Sequence, residues 1–126
     1  MKRFVSFGLA FVVGGSALAK DCAPSDIDDV LKRARAMAAK NRPVEAEKLL
    51  EGAWAACGAE IQAKGDAKQE GRRRDFLLDW LDLAARAKRS TSCVKVQGLL
   101  ETYGGDLVPH SARVSAAKRR CAADPM

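Results

Sequence analysis

The sequence predicts an all-α fold: about five helices in antiparallel hairpins, forming either a disulfide-stapled bundle or a short array of hairpins. Three observations carry this. Apolar residues recur at helical spacing in five separate stretches. Proline, glycine and short polar residues punctuate the gaps between them. No stretch alternates β-branched and aromatic residues as a half-buried strand would.

The chain has 126 residues. Residues 1–19 read as an export signal. Met1, Lys2 and Arg3 form a basic start, Phe4 to Val13 an apolar run, and Ala17-Leu18-Ala19 a small-x-small cleavage pattern. The run is shorter than the roughly 20 residues a membrane-spanning helix needs. Lys20 and Asp21 precede Cys22 where a lipid-attachment motif would have small residues, so the expected product is periplasmic or secreted and not lipid-anchored. Residues 20–126 then make one helical domain. Removing Lys2 and Arg3 from 22 basic residues leaves 20 against 16 acidic, a net charge of +4. That modest excess suits weak attraction to anionic surfaces and does not call for a nucleic-acid partner.

Helix 1 follows Pro24, with Ser25 as the expected N-cap and Asp28 three residues on. Ile27, Val30, Ala34, Met37 and Ala38 make its buried stripe. Pro43 opens helix 2, with a stripe of Ala46, Leu49, Leu50, Ala53, Trp54 and Cys57 and a stop at Gly58. Residues 59–71 are polar and glycine-containing and read as an internal loop with frayed helical ends. Helix 3, over residues 72–89, is the most apolar: Phe76, Leu77, Trp80, Leu81, Leu83, Ala84 and Ala87 share one broad arc, widened by Leu78 and Ala85. It should sit at the centre. Thr91 or Ser92 caps helix 4, which carries Val96, Leu99, Leu100 and Tyr103 and ends at Gly104-Gly105. Asp106 caps helix 5, with Pro109 in its first turn and His110, Val114, Ala117 and Cys121 on one face. Residues 122–126 read as a mobile tail.

All four cysteines lie after the signal, and an even number in an exported chain implies two disulfides. In antiparallel hairpins the start of one helix lies beside the end of the next. That favours Cys22–Cys57 and Cys93–Cys121. Each closes a loop of about 30 residues, worth roughly 3.5–4 kcal/mol in the chain-entropy model. There is no CxxC pair for redox catalysis and no ligand spacing for a metal. No cofactor is implied.

Leu49-Leu50-Glu51 recurs as Leu99-Leu100-Glu101, with Trp54 and Tyr103 following, so helices 1–2 and 3–4 read as two copies of one hairpin. The pattern resembles a tetratricopeptide repeat. The matching residues are Trp80, Leu83, Ala84, Ala87, Val96 and Leu100 in the second unit. In the first they are Val30, Ala34, Met37, Ala46, Leu50 and Ala53. Arg33 departs from the pattern where a leucine belongs, Tyr103 where a small residue belongs, and an insertion separates the units. The resemblance implies a scaffold for peptide or protein partners.

No catalytic signature is present. His110 is the single histidine; a hydrolytic site would need Asp106 to orient it and Ser111 as nucleophile, without any nucleophile motif. Asp75, Asp79 and Asp82 form an acidic strip, read as solvated ion pairs with Arg72 and Arg86 along the same helix. The expected function is therefore a non-catalytic, exported module that binds a protein or peptide. The expected contacts are Arg72, Arg73, Arg74, Asp79, Asp82 and Arg86, with Trp80 beneath them as a groove floor or, by default, in the core. The alternative is a cationic protein held to anionic membrane or cell-wall surfaces by Lys118, Arg119 and Arg120.

Overall fold

A computed structural model describes residues 22–63 and 65–122. The expected signal at 1–19 and the tail beyond Ala122 lie outside the described residues. Those described form five α-helices and no strand: α1 (Pro24–Ala39), α2 (Pro43–Gln62), α3 (Ala67–Ala87), α4 (Ser90–Tyr103) and α5 (Ser111–Ala122). A 3-10 turn, Val108–His110, leads into α5.

Local chemistry explains the boundaries. Pro24 occupies the first turn of α1, and Asp26 rather than Asp28 folds back to accept the Ala23 amide at 3.2 Å. The cap thus falls on Ala23, not Ser25. Gly58 does not stop α2. The helix kinks at Cys57 (φ −121°, ψ 20°) and runs on to Gln62, which lets Ile61 join the core. Burying an isoleucine outweighs the cost of about 1 kcal/mol for a glycine in a helix. Most of the expected loop at 59–71 is therefore helical: α2 ends at Gln62 and α3 begins at Ala67. Asp66 caps α3 by accepting the Gln69 amide at 2.9 Å. Asp106 likewise accepts the Val108 amide at 3.0 Å.

The two hairpin turns share one design. Asn41 (φ 62°) and Lys88 (φ 58°) are both left-handed. The Arg42 amide reaches Met37 O at 3.0 Å, and the Arg89 amide reaches Ala84 O at 3.0 Å, so both helices end in a Schellman motif. These turns align Arg42 with Arg89, about one helical turn out of step with the Leu49/Leu99 echo.

α3 is the hub: it packs against all four other helices. Phe76, Leu77, Leu78, Trp80, Leu81, Leu83, Ala84 and Ala85 are all buried, and they join one core with the apolar stripes of α1, α2 and α4. Both disulfides form as expected, Cys22–Cys57 and Cys93–Cys121. They tie the start of α1 to the far part of α2, and the start of α4 to the end of α5. α1 and α5 therefore run parallel to α3, while α2 and α4 run antiparallel to it.

Candidate functional site

Trp80 is not a groove floor. It is fully buried, with its ring centroid 5.9 Å from Trp54 and 6.1 Å from Phe76. Its Nε1–H donates to Glu47 Oε2 at 2.7 Å. Glu47 is itself 0 % exposed. Its other oxygen lies 2.7 Å from Arg89 Nη1, an ion pair out of line for a hydrogen bond. A buried carboxylate needs such partners, because an unpaired one would cost several kcal/mol. The default reading of Trp80 as core is the one the structure has, since the indole's single polar group is already satisfied inside.

The arginine triplet works inward as well. Arg72 Nε donates to Asp28 on α1 at 3.1 Å. Arg73, with its side chain only 10 % exposed, donates to Tyr103 O at 2.7 Å and to Gln62 O and Ala63 O at 3.3 Å. It thereby satisfies carbonyls that the ends of α2 and α4 leave without a helical partner. Arg74 Nη1 donates to Gly104 O at 3.4 Å. Three consecutive residues on a helix point in three directions, and here each finds a different neighbour.

The acidic strip pairs between helices instead of along α3. Asp79, 12 % exposed, accepts Arg35 Nε of α1 on one oxygen at 2.7 Å and Arg113 Nη2 of α5 on the other at 2.7 Å. Asp82 accepts Arg113 Nε at 2.7 Å. Burial works against the Arg113 charge, but its hydrogen bonds to Asp82 and Asp79 prevail and raise its pKa above the ordinary arginine value. Arg86 donates to Ala38 O at 3.2 Å at the end of α1. Asp75 stays exposed. Neither Arg35 nor Arg113 was among the expected contacts, because nothing local in the sequence connects them to Asp79.

The Arg35–Asp79, Arg72–Asp28 and Arg86–Ala38 contacts cross a seam between α1 and α3 that opens into two clefts sharing Arg35. One, of about 290 Å³, has Ala38, Ala39 and Leu83 on its apolar side and Arg35, Asp79, Asp82 and Arg86 on its polar side. The other, of about 420 Å³, is edged by Lys32, Arg35, Lys68 and Arg72 against Asp28 and Asp75.

Elsewhere, Lys118, Arg119 and Arg120 are exposed on the last turns of α5. His110 is half-buried in the turn before α5, and its imidazole bonds to no carboxylate or hydroxyl among the described residues. Asp106 is engaged instead by the Val108 amide. No protein-family model, curated protein or solved structure matches the chain.

Proposed function

We propose that the protein is an exported, non-catalytic module that binds a peptide or protein along the α1–α3 seam. The observation that carries this is the smaller cleft, where an apolar wall of Ala38, Ala39 and Leu83 meets a charged rim of Arg35, Asp79, Asp82 and Arg86. Apolar area supplies the affinity of such a contact, and placed charges orient it. The order of helix contacts supports a tetratricopeptide-like arrangement. α1 touches α2 and α3; α3 touches α2, α4 and α5; and α5 touches α4. In a stacked-hairpin array the first helices of successive hairpins line one side, here α1, α3 and α5. Export is supported by the N-terminal pattern and by two disulfides, which persist in oxidising compartments. No described helix is long and apolar enough to cross a membrane.

Photo-crosslinking in an envelope extract tests the reading. A photoreactive residue is placed at Ala39 or Arg86, beside the cleft. Controls are placed at Gly52 or Gly98, which face open space on α2 and α4. One discrete adduct from the cleft positions, absent from the controls, is expected. Adducts of equal yield from both sets, or from neither, sink the proposal.

One observation favours a second reading: Lys118, Arg119 and Arg120 have no carboxylate partner among the described residues. A surface-binding protein would hold anionic vesicles at low salt and release them by roughly a few hundred millimolar, where charges are screened within a few ångströms. Cleft adducts should survive the same salt.

A further inference from the structure

The helix α5 is secured unlike any other. Of its twelve residues only Ala117 is buried; Val114 and Cys121 are partly so. Two polar or covalent links do the rest. Arg113 clasps Asp79 and Asp82 on α3, and Cys121 is bonded to Cys93 on α4. The helix hangs from residues 104–107, which begin with Gly104-Gly105; Gly105 has φ +69°, a conformation that glycine adopts without strain.

The disulfide is also approachable. A cleft of about 360 Å³ edged by Ser90, Val94, Gln97 and Lys118 opens onto Cys93 and Cys121. Cys121 is the more exposed of the two sulfur-bearing residues, and Lys118 places a cation beside the path of an incoming thiolate. Val94, at the same cleft, is 71 % exposed.

We propose that α5 is a redox-released strap. A dithiol attacks the Cys121 sulfur, and a mixed disulfide forms as the Cys93 thiolate leaves and takes up a proton. The second thiol of the reagent then displaces Cys121. The products are two protein thiols and one oxidised dithiol, a balanced two-electron exchange. With the covalent tie gone, buried Ala117, partly buried Val114 and the Arg113 clasp are what hold α5, and it opens while α1–α4 remain folded. Opening withdraws Arg113 from Asp79 and Asp82. It also uncovers the flank of α3 carrying Leu78 and Ala85, which stand on the same side of that helix as Asp82. Asp79 and Asp82 edge the cleft of the proposed function, so reduction would remove one cation from its rim and free Asp82 and one oxygen of Asp79, with Arg35 and Arg86 remaining there. This last consequence rests on that reading, but the release of α5 does not.

Hydrogen exchange on the full mature chain tests the strap without any partner. In C93A/C121A, exchange of the α5 amides should rise on the order of a hundredfold, the size expected from losing the loop constraint. Amides of α1, α2 and α3 should change by less than about tenfold. In C22A/C57A, α1 should stay protected. Graded addition of a dithiol to the unmutated protein should give the same order of events, with trypsin cutting first after Arg113 or Lys118. Unchanged α5 exchange in C93A/C121A overturns the proposal. So does a loss of protection spread evenly over all five helices, or complete unfolding of that variant. None of these outcomes bears on whether Ala39 and Arg86 crosslink a partner.

Discussion

α1 and α5 hold equivalent places beside α3 and are held by different physics. Each runs parallel to α3, each sends an arginine to Asp79, and each is tied by a disulfide to the antiparallel helix beside it. Yet α1 buries Ile27, Val30, Leu31, Ala34 and Ala38, whereas α5 buries Ala117 alone. The disulfide is an addition to packing on one flank and a substitute for it on the other. Equal crosslinks can therefore have unequal consequences: the chain-entropy benefit is set by loop length, but what survives its loss is set by buried area.

The largest expected effect lies in what the two flanks share. Trp80→Ala should cost about 3–5 kcal/mol, as a large buried aromatic does, and it also strips Glu47 of a donor. Urea denaturation followed by circular dichroism would show it, with both flanks lost in one transition. A cost below about 1 kcal/mol would mean that α3 is not the common support.

A smaller pair of effects separates the flanks. Leu31→Ala on α1 should cost about 2–5 kcal/mol, the usual range for a buried leucine. Val114→Ala on α5 should cost under about 1 kcal/mol, because its side chain is only partly covered. The same urea experiment reads both. If Val114→Ala proves the more damaging, α5 is packed after all and the contrast collapses.

The helices and disulfides were legible because their signals are local or topological. Stripes such as Val96–Leu100 and Phe76–Trp80 repeat within one helix, and antiparallel hairpins bring Cys22 to Cys57 and Cys93 to Cys121. The seam was not legible. Asp82 and Arg86 are spaced like neighbours on one helix, and that spacing hides the partners on α5 and α1. Arg73 reads from the sequence as a contact for a partner, because nothing there says that two helix ends converge on it. Two misses did leave a trace. Glu47 projects within about 20° of Trp54 on α2, at the edge of the buried stripe, where a carboxylate can meet an indole. Asp66 and Gln69 have capping-box spacing, which marks the true start of α3.

The finest comparison is between the two hairpin turns. Asn41 and Lys88 occupy the same left-handed position, with φ 62° and 58°. A left-handed residue with a Cβ costs roughly 1–2 kcal/mol, less for asparagine, whose short polar side chain tolerates the region. Both side chains are exposed, so little else is lost on replacement. Lys88→Gly should therefore stabilise the protein by about 0.5–1 kcal/mol and Asn41→Gly by a few tenths, after the entropy of the freer unfolded chain is set against the relief of strain. Thermal melting of the two variants against the parent would show Lys88→Gly highest. The gain at Lys88 should also appear in C93A/C121A, because the α3–α4 turn lies outside the strap. Were it to vanish there, release of α5 would have disturbed that turn, and the boundary between packed body and strap would lie earlier in the chain than residue 104.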